Sequence, residues 1–309
     1  MPLDPTRPFL RQDGLRAGLT KHVLDGTGFH TVFGSVRLAS EVPLTPEVLG
    51  RCASLVVPRC AVSHHTAAEV WGGAVPSTAW THVSVARAED RRARVGLRCH
   101  VNPSAVVRSR AGLRLTTPSQ TVLDLSRELG LVDLTVLADS LLHRGVLTSA
   151  ELEQRLDACQ HGLPRVASAA RTLIRPGAES PMETRSRLLL VLAGLPEPVL
   201  QHEVGDAWHR FRLDLAYPDL GVAVEYDGRH HAEDARQWGH DLGRREWFDG
   251  HGWRLVVLRA GDVYGTPGAT ALRVAAVLAE RGAVTHLPAR PPATFANHFP
   301  EQPWRAARP

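Results

Sequence analysis

Cysteine is scarce. Cys52, Cys60, Cys99 and Cys159 are spread over 309 residues without a C-x-x-C pair, which argues against a disulfide framework and against a zinc site of standard spacing. Long apolar runs are missing too. The longest run of large apolar residues, Leu188 to Leu192, is soon closed by Gly194 and Pro196, far short of the roughly 18 residues a membrane span needs. The start, MPLDPTRPFLRQDG, has no apolar segment, so no secretory leader is expected. The expected localisation is cytoplasmic, with no membrane partner. Lysine is nearly absent, with Lys21 alone against 35 arginines, a bias that weakens arginine number as a sign of phosphate binding.

What is present suffices for about two domains, each with its own core: 43% of the residues are hydrophobic and 22% charged. The net charge of +4 is uneven. Residues 1–175 carry 21 basic and 15 acidic groups, and the remainder 15 and 17. A basic front half suits contact with nucleic acid.

Patterning divides the chain further. Residues 1–45 give a short helical pattern, a second helix opened by Thr20 as N-cap, and an extended stretch Phe29–Leu38 broken at Gly34, the outline of a winged helix. Residues 46–175 read as a mixed α+β region. Strands alternate at Thr81–Ala86 and Leu97–Val101, and helices follow from Pro118, near 132–144, 148–159 and 164–175. Between the strands lies the basic run 87–94, which reads as a solvated loop or as a phosphate-contacting one. Pro176-Gly177 marks a boundary. Residues 179–283 then give helix, three strands, helix, strand and helix, a compact α/β domain. The tail 284–309, with six prolines, is expected to be disordered.

The chemistry concentrates in one hairpin. Pro218-Asp219-Leu220-Gly221 is a turn signature. A hairpin symmetric about Asp219 and Leu220 sets Asp214 opposite Glu225 and Arg212 opposite Asp227. Phe211, Leu213, Leu215, Val222, Val224 and Tyr226 then share the other face. Like charges directly opposite are destabilising, so a divalent cation held by Asp214 and Glu225 is the simplest reason for the cluster. The bland alternative is a solvated face with an Arg212–Asp227 pair. His231 follows Gly228 just beyond the acids, where a neutral imidazole can take a proton from water.

Glu183 on a helix, Asp214, Glu225-x-Asp227-Gly228-x-x-His231, Asp241-x-x-Arg244 and the strand from Gly252-Trp253 together resemble the very-short-patch-repair-like branch of the PD-(D/E)XK endonucleases. The resemblance covers about 179–264. It implies a restriction-endonuclease-like domain, a central mixed sheet flanked by helices, that hydrolyses phosphodiester bonds of double-stranded DNA with Mg²⁺ or Mn²⁺. Asp214 and Glu225 match the metal-binding acids, Glu183 reaches the metal or its water, and His231 serves as base. Asp227 stands where the superfamily has its Lys. Asp227 and Asp241 are supporting candidates, and Arg244 is one for contact with the scissile phosphate. For Glu183 the ordinary alternative is an ion pair with Arg187, four residues on.

The front half has its own resemblance. Val62-Ser-His-His-Thr-Ala-Ala-Glu69 and Leu115-Thr-Thr-Pro-Ser-Gln-Thr-Val-Leu-Asp124-Leu125 are similar to abortive-infection type IV antitoxin proteins over about 10–160. That likeness implies a DNA-binding start. His64 and His65 begin a helix and read as structural. The rival to a nuclease is therefore a toxin–antitoxin-type DNA-binding regulator whose nuclease-like domain is not catalytic.

Overall fold

The computed structural model describes residues 3–159, 162–228, 235–284, 287–288 and 290–299, and of 235–242 the backbone alone. The chain divides into two compact units, 1–171 and 172–309. Both mix helices with sheet, so the protein is α/β. No helix among the described residues is long and apolar enough to cross a membrane.

The first unit opens with β1 (Phe9–Leu10), α1 (Arg11–Arg16), α2 (Lys21–Leu24), β2 (Phe29–Val32) and β3 (Val36–Ala39). These strands form an antiparallel sheet in the order β1-β3-β2. Thr20 caps α2, its hydroxyl accepting from the Val23 amide. Buried Arg37 ties sheet to helix, donating to the Leu24 carbonyl and to Asp25 Oδ1, each at 2.8 Å. There follow α3 (Pro46–Val56), β4 (Ala61–Val62), α4 (His64–Trp71), β5 (Thr81–Val85), β6 (Leu97–Val101), β7 (Val107–Arg110) and β8 (Leu113–Thr116). The unit closes with α5 (Pro118–Leu125), α6 (Leu131–His143), α7 (Ser149–Asp157) and α8 (Arg165–Arg171). Its second sheet is mixed, in the order β6-β5-β4-β8-β7. Val83, Val85, Leu97 and Cys99 of that sheet pack with Cys52 and Ala53 of α3. All four cysteines are free. Alternation predicts β5 and β6, whereas β7 is exposed along its length and offers no apolar face to read.

The second unit comprises α9 (Pro181–Ala193), β9 (Val199–Gly205), β10 (Arg210–Tyr217), β11 (Val222–Tyr226), α10 (Ala235–Gly250), β12 (Arg254–Leu258), α11 (Pro267–Glu280) and α12 (Ala293–His298). Its sheet runs β12-β11-β10-β9, antiparallel except where β11 meets β12. The sequence explains each end of α9. The Ser180 hydroxyl accepts from the Glu183 amide at 3.1 Å, Pro181 occupies the first turn, and Gly194 closes the helix in a left-handed conformation. Leu188, Leu189 and Leu190 are fully buried, each worth about 1.5–3 kcal/mol of transfer free energy.

The hairpin adopts the expected register: Leu215 pairs with Val224, Ala216 with Ala223 and Tyr217 with Val222. Gly221 turns the chain at φ +59°, where a Cβ would come within 2.9 Å of the Gly252 carbonyl oxygen. Leu213, Leu215, Val222 and Val224 are buried as the alternation requires. So are Ala216 and Ala223, which pack with Trp247 and Phe248 of α10. The face that carries Asp214 and Glu225 is therefore covered rather than solvated. One further difference concerns the tail: residues 293–298 form α12, which packs on α9 with Phe295 buried against Phe299. Two aromatics four residues apart supply an anchor that proline content alone conceals.

Candidate functional site

β10 and β11 deliver the first two acids. One step beyond the Leu215–Val224 pair, the same register sets Asp214 across from Glu225. Asp214 Oδ2 accepts the Tyr226 amide at 3.2 Å. Both carboxylates line a cavity of about 360 Å³, together with Arg212, Asp227, Arg244 and Arg245. The Asp227 amide donates to the Leu258 carbonyl at 2.8 Å, carrying the parallel ladder one residue past the strand.

α9 delivers the third acid. Glu183 is buried, and its Oε2 accepts from the Glu179 amide and from Gln201 Nε2, each at 2.8 Å. Burial pushes its carboxyl above the usual range, and the nearby charge of Asp214 adds to that. Burial also raises Asp214, against the Tyr226 amide and the Arg244 charge. Glu183 is thus a buried neighbour of Asp214, not one half of a surface pair. Arg187, the expected partner, is fully buried and donates to Glu197 Oε1 at 3.2 Å.

Two site residues escape the sequence pattern. Gln201 lies on β9 opposite Asp214 of β10, between the pairs Leu213–His202 and Leu215–Leu200. Its φ of +50° is strained for a residue with a side chain. Glu179, just before the cap of α9, accepts from Arg212 Nη2 at 2.5 Å. Arg212 is therefore anchored to α9's entry. Neither position carries a motif; a polar residue inside a strand and an acid before Ser-Pro are the only hints.

Arg244 reaches the cavity from α10 and donates through Nη2 to Glu225 Oε1. Its Nε is buried with no hydrogen-bond partner among the described residues, and its guanidinium lies 5.3 Å from the Phe248 ring centroid. The side chain of Asp241, and both His230 and His231, lie outside the described residues.

The first unit holds a larger cavity of about 1360 Å³, lined by Arg91, Arg92, Arg94, Arg98, Arg127 and Arg155. Three of those belong to the basic run 87–94. Asp124 is in the same wall, and burial pushes its carboxyl up to about 6 despite hydrogen bonds from Gln120 and Asn102. Its Oδ2 has no hydrogen-bond partner among the described residues. His64 and His65 open α4 as expected, and both are buried beside His82.

No family model matches the chain. It is similar to "Uncharacterized protein Rv2248" of Mycobacterium tuberculosis strain ATCC 25618 / H37Rv and to "Uncharacterized protein MT2308" of strain CDC 1551 / Oshkosh. Each is 29% identical over 236 residues, which is 74% of this chain and 86% of the relative. A match of that length exceeds either unit, so the likeness extends across both.

Proposed function

We propose that the protein is a metal-dependent endonuclease whose second unit is a restriction-endonuclease-like domain acting on double-stranded DNA. One observation carries this: Asp214 and Glu225, from two strands, line a small cavity rimmed by arginines, and the buried carboxylate of Glu183, from a helix, lies close enough to feel the charge of Asp214. The donors are hard carboxylate oxygens, the kind that Mg²⁺ or Mn²⁺ prefers. The raised carboxyls of Asp214 and Glu183 reflect buried acids in need of a counter-charge. The residues fit the ion.

Asp214 and Glu225 present the metal-binding oxygens. Glu183, fixed by the Glu179 amide and by Gln201, orients metal or water. Bound there, the ion would stabilise charge on the phosphoryl oxygens and lower the pKa of water. His231 takes the proton, the role its match to the family implies. Arg244 and Arg245 offer positive charge to the scissile phosphate, with Asp227 and Asp241 in support. The short helices and three-stranded sheet that open the first unit support the reading of residues 1–45 as a winged helix. The arginine-lined cavity there suits contact with a DNA backbone.

The toxin–antitoxin-type regulator is a second reading. It is favoured by Arg244, which already sits on Glu225, and by Asp227 in the place of the family's Lys. Incubating the full chain with supercoiled and linear DNA, with and without Mg²⁺ or Mn²⁺, separates the two. Metal-dependent cutting that a chelator abolishes and that is lost in His231→Ala supports the nuclease. A footprint on DNA with no cutting supports the regulator.

A further inference from the structure

In the first unit, four histidines from three separate segments meet. His64 and His65 come from the start of α4, His82 from β5 and His100 from β6. His82 is 1% exposed and His65 9%. Glu128, in the turn after α5, stands beside them: its Oε2 is 3.6 Å from His65 Nδ1. At that separation the two groups are too far apart to hydrogen-bond.

The tautomers decide which nitrogens are available. His82 Nδ1 and His100 Nε2 are 3.0 Å apart and share one proton. With the proton on His82 Nδ1, its Nε2 carries a bare lone pair. His100 Nδ1 then keeps its hydrogen and faces Glu128 Oε1 at 4.0 Å. His82 Nε2 and His65 Nδ1 are both buried with no hydrogen-bond partner among the described residues. His64 is different, because its Nδ1 is engaged with the Ser63 hydroxyl at 3.0 Å, which in turn accepts from Ser84. Neutral imidazole is the form that ligates metals.

We propose that His65 Nδ1, His82 Nε2 and the Glu128 carboxylate hold one divalent transition-metal ion, with zinc the fitting class. The ligating atoms of these three residues lie within 4.8 Å of one another. Tetrahedral zinc with bonds of about 2.0–2.1 Å sets neighbouring donors about 3.3 Å apart, close to the His65–Glu128 separation. Two imidazoles and one carboxylate suit zinc rather than magnesium and leave a fourth position open. His100 is a positioning residue, since its bond to His82 Nδ1 fixes the tautomer that frees Nε2. The set shares no residue with the carboxylate cavity of the second unit. Its ligands fall at positions 65, 82 and 128, a spacing that no standard zinc pattern contains.

The test uses the full chain, stripped with a chelator, supplied with one equivalent of zinc and desalted, with retained zinc measured by mass spectrometry. Wild type, His64→Gln and Asp214→Asn are expected to keep one equivalent, and His65→Gln and Glu128→Gln none. In His100→Phe the affinity is expected to fall by about 10–100-fold. Wild type that keeps no zinc, or zinc that survives both ligand replacements, overturns the proposal. X-ray absorption at the zinc edge of wild type needs no variant and covers the case of a replacement that unfolds. Two imidazole nitrogens at about 2.0–2.1 Å are expected, and a shell of oxygen alone overturns the site.

Discussion

Gln201 Nε2 donates to Glu183 Oε2 at 2.8 Å, joining β9 to the first turn of α9 beside Asp214. The bond aims a buried carboxylate, and the backbone holding it is strained at φ +50°. Strain at that point is tolerated because the surrounding strand pairs fix it. Gln201→Ala removes the donor while keeping the strand. If Glu183 orients metal or its water, the Mg²⁺ concentration needed for half-maximal cleavage rises by about 10-fold or more. A metal titration unchanged from wild type would remove Gln201 from the site.

The same helix start links stability to the site. Ser180→Ala deletes the hydroxyl that accepts from the Glu183 amide, and such a loss costs about 1 kcal/mol. Urea unfolding followed by tryptophan fluorescence should shift to lower denaturant by a corresponding amount. Ser180→Asp, which caps equally well, should hold the midpoint. Equal loss in both variants would mean that capping is not what Ser180 supplies.

Asp124 gives the first unit a pH dependence of known sign. Burial pushes its folded carboxyl up to about 6, above the ordinary 3.8. Glu128 pushes the same way, and Arg155 and the Gln120 and Asn102 amides oppose it. The protonated form therefore favours folding. Stability from this group is complete below about pH 4 and is lost as pH rises through about 6. Asp124→Asn cannot ionise, so its stability relative to wild type should grow between pH 4 and 7, by up to about 3 kcal/mol. A difference independent of pH across that window would refute the assignment.

Much of the second unit is legible because local signals agree there. Strict alternation in Phe211–Tyr217 and Val222–Tyr226, with Pro218-Asp219-Leu220-Gly221 between them, fixes a register that sets Asp214 opposite Glu225. Ser180-Pro181 and Gly194 bracket α9. Gln201 and Glu179 are not legible, since their roles depend on which strand and helix come together. The histidine cluster is hidden for the same reason: His64 and His65 look like an ordinary helix start until β5 and β6 bring His82 and His100 beside them. The ion pair of Arg244 with Glu225 joins residues 19 apart in sequence, one on a helix and one on a strand, a contact that helix periodicity cannot forecast.

The most direct measurement is cleavage of supercoiled and linear DNA by the full chain with Mg²⁺ or Mn²⁺, wild type beside Asp214→Asn and Glu225→Gln. All three are checked for matching circular dichroism and melting. Metal-dependent cutting by wild type that falls about 100-fold or more in both variants is the predicted result. Undiminished cutting by a folded Asp214→Asn protein, or wild type that binds DNA and cuts it with neither metal, would contradict the nuclease.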